Sequence, residues 1–205
     1  MADNVAALLR LMLVTDDRLL GGRDLVAVAL AAQRGGITAL QIRLKHPGAR
    51  ELAELVRALL RTVTLPVLVN DRPDVAIAVG ASGVHLGPDD IPAELVRRIA
   101  PPGFLIGASV GSEAEATTAG AADYWGIGPW RNTATKQDAG AGLGPEGFRR
   151  LVALGKGRPC IAIGGVTPED ISAVVAAGGS GVAVVSGILA AEDIETAARR
   201  YRSRF

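Results

Sequence analysis

The sequence predicts a small (β/α)8 barrel, an α/β single domain over residues 1–205 with residues 1–10 as a short N-terminal lead-in. Eight short apolar runs alternate along the chain with segments of helical pattern, which implies parallel strands joined by right-handed crossovers. The runs show little polar–apolar alternation, as expected of strands buried on both faces. No linker or break in composition divides the chain. A doubly wound open sheet is the alternative that the same pattern leaves open.

The strands are predicted from runs of Val, Ile, Leu and Ala, most of which are followed by Gly, Asp or Asn. Each run is short and bounded by turn residues, as is typical of a buried parallel strand. In chain order the predicted strands are Leu11 to Thr15, Ala39 to Arg43, Val67 to Asn70, Gly83 to Leu86, Phe104 to Ala108, Tyr124 to Gly128, Cys160 to Ile163 and Val182 to Val185.

The helices are predicted from apolar spacing and from start signals. Leu52, Val56 and Leu59 recur at helical spacing. Ser112 is a preferred N-cap residue, and Thr167-Pro168-Glu169-Asp170 is a strong helix start. The predicted helices are Asp24 to Gln33, Ala49 to Arg61, Pro73 to Val79, Pro92 to before Pro101, one from Ser112, Glu146 to Leu154, one from Thr167, and Ala191 to Arg200.

The composition limits the classes of function. Hydrophobic residues make up 49% of the chain and aromatics 3%, so the core must be aliphatic. The formal net charge is +1, which favours neither nucleic acid nor a membrane surface as a partner. Cys160 is the only cysteine, so no disulfide is expected and a reducing cytoplasm is predicted. The sequence leaves open whether the chain forms a homo-oligomer.

In a parallel barrel, functional residues are expected at the carboxyl ends of the strands. After the second strand, alternation places Gln41, Arg43 and Lys45 on one side of the extended chain. Burying three polar groups is costly without an anionic partner. The pattern therefore favours a polyphosphate-binding site, with two solvated basic residues as the alternative.

The next two strands end in acidic residues. Asn70-Asp71 follows the third strand and Asp89-Asp90 the fourth. Two carboxylates at one edge suit Mg²⁺, which takes oxygen ligands and keeps several waters. The alternative is that each Asp caps the helix that follows. His85, within the fourth strand, is interpreted as a hydrogen-bonded core histidine rather than a ligand.

Three later segments predict contacts to phosphate. Thr133, Thr135 and Lys136 offer two hydroxyls and an ammonium in a long loop, which otherwise is a polar insert. The segments Gly164-Gly165-Val166 and Val185-Ser186-Gly187 follow the last two strands, where barrels commonly bind a phosphomonoester. Ser109, at the end of the fifth strand, is either a cap or a donor to a ligand.

Taken together, the order and spacing of these residues resemble the thiamine-phosphate synthase family, and the resemblance covers nearly the whole chain. The matching pieces are Leu13 to Asp16, Gln41-Ile42-Arg43-Leu44-Lys45, Asn70-Asp71-Arg72, Gly83 to Gly87, Thr133-Ala134-Thr135-Lys136, Gly164-Gly165-Val166 and Val184-Val185-Ser186.

The resemblance implies a transferase of thiamine biosynthesis. Such enzymes join 4-amino-2-methyl-5-hydroxymethylpyrimidine diphosphate to a thiazole phosphate and release diphosphate. Small phosphorylated molecules would be its partners and Mg²⁺, held by Asp71 and Asp90, its cofactor. The residues implied to bind substrate are Gln41, Ile42, Arg43, Leu44, Lys45, Asn70, Ser109, Thr133, Thr135, Lys136, Gly165, Val185 and Ser186, of which Arg43, Lys45, Ser109 and Lys136 would serve catalysis.

The chain departs from the family pattern at three places. Gly87-Pro88 stands where Gly-Gln is usual, Leu44 stands where an acidic or other residue is common, and Arg131-Asn132 precedes Thr133 in place of the usual residues. Two alternatives stay open at this point. One is a ligand-binding or regulatory barrel, such as a relative of the thiazole tautomerase, without transferase chemistry. The other is a phosphosugar-type isomerase, which needs a general acid–base pair at the strand ends.

Overall fold

A computed structural model describes residues 2–132 and 141–205. Within these ranges eight parallel strands close into a barrel in sequence order. They are β1 (Leu11–Val14), β2 (Ala39–Ile42), β3 (Val67–Asn70), β4 (Gly83–Leu86), β5 (Leu105–Val110), β6 (Tyr124–Ile127), β7 (Cys160–Ile163) and β8 (Gly181–Val184).

Closure decides between the two folds that the sequence allowed. The last strand pairs with the first, with Leu13 opposite Val184, and every other strand pairs with its sequence neighbours. The barrel is therefore confirmed, and the open-sheet alternative is wrong. The parallel arrangement places all eight carboxyl ends at one end of the barrel, which we call the mouth.

Helices surround the barrel. In the described residues they are α1 (Ala2–Leu8), α2 (Asp17–Leu20), α3 (Leu25–Arg34), α4 (Ala49–Thr62), α5 (Pro73–Val79), α6 (Ala93–Ile99), α7 (Glu113–Thr118), α8 (Gly144–Leu154), α9 (Ile171–Ala176), α10 (Ser186–Leu189) and α11 (Ile194–Arg202), with a 3-10 turn at Pro168–Asp170 before α9. The Ser112 hydroxyl accepts from the Glu115 N–H at 3.2 Å, so the predicted cap of α7 is confirmed. None of these helices is long and apolar enough to cross a membrane.

Two apolar clusters divide the core, as alternation along each strand requires. The inner cluster fills the barrel and includes Met12, Leu68 and Ile161. The outer cluster lies between strands and helices and includes Leu40, Ile42 and Val69. Leu9, which follows α1, is fully buried in the inner cluster, so the N-terminal segment closes the end of the barrel opposite the mouth.

The largest differences from the sequence prediction are the short helices α2 and α10, which follow β1 and β8. Strand β8 also ends one residue before the predicted Val185. The cause is the backbone of Val185, whose φ of −108° and ψ of −88° leave the extended region. Val185 and Ser186 therefore lie in a turn between strand and helix rather than in a strand.

Candidate functional site

The mouth collects most of the residues that the sequence singled out. Closed parallel pairing brings the ends of β2, β3 and β4 next to one another on one side, while β7 and β8 end on the other. In the register of the sheet, Val69 lies opposite both Ile42 and Val84. The predicted anion-binding residues after β2 are therefore neighbours of the acidic residues after β3 and β4.

Arg43 and Lys45 follow β2 and are held by the chain after β1. The Thr15 hydroxyl accepts from the Arg43 N–H at 2.8 Å and donates to the Arg43 carbonyl at 3.2 Å. The Arg43 guanidinium donates to Asp16 Oδ2 at 3.2 Å, and both side chains are at least four-fifths buried. The Lys45 N–H donates to Asp17 Oδ2 at 2.7 Å, while Lys45 itself is exposed.

A row of polar groups crosses the barrel beneath the mouth. Gln41 is buried and donates to Met12 Sδ at 3.5 Å. His85 Nδ1 lies 2.9 Å from Tyr124 Oη, and His85 Nε2 lies 3.0 Å from Ser109 Oγ. Burial raises the pKa of Tyr124, a rise that a hydrogen bond from Gln41 opposes in part, so this phenol stays protonated. His85 is thus the hydrogen-bonded core histidine that the sequence predicted.

Asn70 ends β3 and belongs to the face that points into the barrel, because Leu68, two residues earlier, lies in the inner cluster. Asp71 follows it with a φ of +61°, in the left-handed region, and its N–H donates to the His85 carbonyl at 2.9 Å. Such a conformation is uncommon outside glycine and often marks functional sites. Asp71 is exposed at the mouth.

Asp90 belongs to a tight turn that follows β4. Its Oδ2 accepts from the Gly87 N–H at 2.6 Å, and its own N–H donates to the Gly87 carbonyl at 3.3 Å. Pro88 occupies the second position of this turn, where proline is favoured because its φ is already set. The departure from Gln at position 88 therefore fits the local structure, while Asp89 is exposed.

Neither Asp71 nor Asp90 occupies the N-cap position of the helix that follows it, contrary to the capping alternative. The cap positions of α5 and α6 are Arg72 and Pro92, and neither makes a side-chain cap hydrogen bond. Among residues 2–132 and 141–205, no group of three or more His, Cys, Asp or Glu side chains could hold a metal. Two carboxylates nevertheless fit Mg²⁺, which commonly takes one or two from the protein and fills its other positions with water and substrate phosphate.

The other side of the mouth is built around Gly164 and Gly165, which both have left-handed φ, of +88° and +71°. The Arg131 N–H donates to the Gly164 carbonyl at 2.9 Å, and a Cβ at position 165 would lie 3.0 Å from Arg131 Cβ. Only glycine fits both the conformation and the close approach. Val185 packs against the inner cluster and Ser186 is exposed at the start of α10.

Several predicted site residues do not come together at the mouth. Ile42 belongs to the outer cluster, and the half-buried Leu44 packs against that cluster. Alternation along the chain turns both side chains away from Gln41 and Arg43. Only the backbone of these two residues can serve a ligand in the mouth. The predicted contacts of Thr133, Thr135 and Lys136 lie outside the described residues.

Sequence reasoning missed the residues that support the site. Asp16, Asp17 and Tyr124 contact predicted site residues, yet none of them was assigned a role. The available signal was position: Asp16 and Asp17 follow a strand just as Asp71 does. Asp16 and Asp17 meet the segment after β2 because β1 pairs with β2. That pairing cannot be read from the spacing of residues along the chain.

A large cleft formed by described residues, about 1260 Å³, lies at the opposite end of the barrel. Two of the basic residues that line it are already engaged within the chain. Arg97 pairs with Asp123 at 2.6 Å, and Arg158 donates to two backbone carbonyls and lies over the Trp125 ring. That end of a (β/α)8 barrel usually serves stability, so the mouth remains the candidate site.

Comparison with known proteins gives a consistent result. Residues 11–188 match the family model described as thiamine monophosphate synthase. The chain is 46% identical over 203 residues to the thiamine-phosphate synthase of Azorhizobium caulinodans, covering 95% of this chain and 94% of that one. It is 42% identical to the enzyme of the same name from Moorella thermoacetica, with coverage of 94% and 93%.

Solved structures agree. The thiamine phosphate pyrophosphorylase from Pyrococcus furiosus superposes with a TM-score of 0.86 at 38% identity, covering 98% of this chain and 97% of that one. A 3-hexulose-6-phosphate synthase, at 18% identity and a TM-score of 0.69, shares the fold alone. The chain therefore belongs to the thiamine-phosphate synthase family and is an enzyme of thiamine biosynthesis that forms thiamine phosphate.

Proposed function

We propose that the mouth binds the two substrates at separate anion sites and holds them for direct transfer. The pyrimidine diphosphate binds on the side of β2 to β4, to Gln41, Arg43, Lys45, Asn70 and Lys136, with Ser109 nearby. The thiazole phosphate binds on the side of β7 and β8, to Thr133, Thr135, Gly165, Val185 and Ser186. The observation that supports this most is the location of the described members of both sets at the carboxyl ends of one closed barrel. Thr133, Thr135 and Lys136 lie outside the described residues.

The chemistry assigned to these residues is electrostatic. When the bond between the pyrimidine methylene carbon and the diphosphate oxygen breaks, its electron pair leaves with the diphosphate. Arg43, Lys45 and Lys136 stabilise the negative charge that develops there. The thiazole, held by its phosphate, then uses its ring nitrogen lone pair to form the new carbon–nitrogen bond. No side-chain nucleophile is needed.

We assign Mg²⁺ to Asp71 and Asp90. The bound ion would neutralise part of the diphosphate charge and orient the leaving group. The left-handed backbone of Asp71 and the Gly87–Asp90 turn support the assignment, because both place a carboxylate at the mouth outside the N-cap position of a helix. Asp90 keeps capacity for a ligand, since a carboxylate offers two oxygens and Gly87 engages one.

The metal assignment predicts a loss that asparagine variants can isolate. Asparagine tolerates the left-handed conformation of Asp71 and offers Gly87 an acceptor at position 90, so Asp71→Asn and Asp90→Asn keep the local structure. We expect each to lower kcat by about 100-fold, roughly 3 kcal/mol of transition-state stabilisation, and to raise the Mg²⁺ concentration needed for half-maximal activity.

Asp89→Asn is the matched control, because this neighbouring carboxylate is exposed and receives no role in the site. It should retain wild-type turnover and Mg²⁺ dependence. Wild-type behaviour of both Asp71→Asn and Asp90→Asn would refute the metal assignment while leaving the transferase activity of the family unaffected.

A cytoplasmic location, predicted from the single Cys160, also remains a proposal.

A further inference from the structure

Three consecutive residues after β1 hold the segment that follows β2. We call Thr15, Asp16 and Asp17 the β1 clasp. Thr15 is fully buried and bonds both the N–H and the carbonyl of Arg43. Asp17 accepts from the Lys45 N–H at 2.7 Å. The backbone of the proposed diphosphate-binding segment is therefore fixed at both of its cationic residues by side chains that follow β1.

Asp16 adds a contact to the Arg43 side chain itself. Its Oδ1 accepts from the N–H groups of Arg18 and Leu19, at 3.1 and 3.2 Å, and so caps α2. Its Oδ2 accepts from Arg43 Nη1 at 3.2 Å. The carboxylate cannot turn without breaking the cap, so its contact restricts the orientations open to the guanidinium.

The contact leaves Arg43 able to bind an anion. A guanidinium has five N–H donors, and the Asp16 contact uses one nitrogen. Its planar fork must face a phosphate squarely to bind it through two hydrogen bonds. An arginine fixed before the substrate arrives loses less rotational freedom on binding, which favours affinity.

We propose that Asp16 is a positioning residue for the transfer reaction, which orients Arg43 toward the diphosphate of the pyrimidine substrate. The proposal rests on the role assigned to Arg43 in the proposed function. It makes Asp16 specific to one substrate, because its contacts lie on the β1–β2 side of the mouth and not at β7 and β8. It also explains why an acidic residue stands beside a site for anions.

The experiment compares Asp16→Ala with Asp24→Ala. Asp24 caps the next helix, α3, through the Val26 N–H at 2.9 Å, so the control loses a helix cap of the same kind but no contact with Arg43. For each variant, KM is measured separately for the pyrimidine diphosphate and the thiazole phosphate, together with the inhibition constant of inorganic diphosphate. Unfolding temperatures report the loss of the cap.

We expect Asp16→Ala to raise the KM for the pyrimidine diphosphate and the inhibition constant of diphosphate by about tenfold, the low end of what removing a supporting partner costs in metal sites. The KM for the thiazole phosphate should stay unchanged, and Asp24→Ala should change neither. If Asp16→Ala does not fold, Asp16→Asn keeps an acceptor for the cap. With that oxygen on the cap, the amide NH2 of the new side chain faces Arg43 Nη1 and cannot accept from it, so the rise should again be about tenfold.

Arg43→Ala, alone and combined with Asp16→Ala, separates the role of Asp16 from the role of Arg43. If Asp16 acts through Arg43, its removal adds nothing in the Arg43→Ala background. If Arg43→Ala raises the KM for the pyrimidine diphosphate but Asp16→Ala behaves like the control, the positioning role is refuted and the proposed function stands. If Arg43→Ala leaves that KM unchanged, the role of Arg43 fails and the role of Asp16 fails with it.

Discussion

At the scale of single residues, the floor of the mouth depends on a phenol and an imidazole. Position 107 requires glycine, because a Cβ there would lie 2.2 Å from the ring of Tyr124. The space allows the hydroxyl to reach His85 Nδ1, while His85 Nε2 meets Ser109. If Tyr124 donates to Nδ1, the His85 proton is on Nε2 and points at Ser109. The row thereby fixes the orientation of a predicted site residue.

This row predicts a measurable loss of stability. Tyr124→Phe removes one hydrogen-bond partner of His85 inside the barrel, and we expect it to lower the free energy of unfolding by about 1–3 kcal/mol. Tyr201→Phe is the comparison, since its hydroxyl donates to the Val166 carbonyl at 3.0 Å outside the barrel, and should cost about 1 kcal/mol. Urea unfolding measures both. A Tyr124→Phe protein as stable as wild type would contradict the structural role.

Sequence reasoning reached residues of this kind only in part. His85 was predicted as a core histidine because it stands among small and apolar residues of a strand, and that prediction is confirmed. Its partner Tyr124 was not identified, although it opens the sixth strand. The contact joins β4 to β6 across the barrel interior, and no spacing along the chain encodes it.

At the scale of elements, the 3-10 turn at Pro168–Asp170 joins the two loops on the β7 side of the mouth. Asp170 is buried and accepts from the Thr167 N–H and hydroxyl at 2.9 and 3.0 Å, and from the Arg131 guanidinium. Burial alone would raise the pKa of Asp170, yet these hydrogen bonds together hold it below its ordinary value. The ionised carboxylate therefore ties the chain after β6 to the start of α9.

A lowered pKa in the folded state gives stability that is present above the unfolded value, about 3.9, and is lost as the pH falls through the lower folded value. Asp170→Asn should therefore be less stable than wild type at neutral pH, and the gap should narrow below pH about 4. Urea unfolding over this pH range tests it, with Asp89→Asn as the exposed control. A gap that is constant with pH would show that the carboxylate charge is not involved.

The elements were predicted better than their contacts. Thr167-Pro168-Glu169-Asp170 was identified as a helix start, and the structure confirms it through the hydrogen bonds of Thr167 with Asp170. The partnership with Arg131 was not predicted, because it depends on how the loop after β6 passes over Gly164. The same limit applied to Arg43, which was recognised as a cation at a strand end but not as the partner of Asp16.

At the scale of the whole molecule, the two ends of the barrel have different tasks. Leu9 is fully buried in the inner cluster at the end opposite the mouth. Leu9→Ala should lower the free energy of unfolding by about 2–5 kcal/mol, the usual cost of such a cavity. The KM values of both substrates, measured below the unfolding transition, should stay at wild-type level. A variant that is stable but impaired in binding would contradict this separation.

The architecture itself followed from the sequence, because eight alternations of strand and helix leave few topologies once crossovers are right-handed. Closure was the step that the pattern could not decide, and the pairing of Leu11 with Val182 decides it. The two short helices α2 and α10 escaped prediction because four residues are too few to show helical periodicity.

The central claim is that one mouth holds a metal-assisted diphosphate site and a phosphomonoester site that act together. The most direct measurement incubates the purified protein with the pyrimidine diphosphate and the thiazole phosphate, with and without Mg²⁺, and quantifies both products. We expect thiamine phosphate and diphosphate in equal amounts, formed only when Mg²⁺ and both substrates are present. Diphosphate release without the thiazole phosphate at the same rate, or product formation that ignores Mg²⁺, would contradict the account.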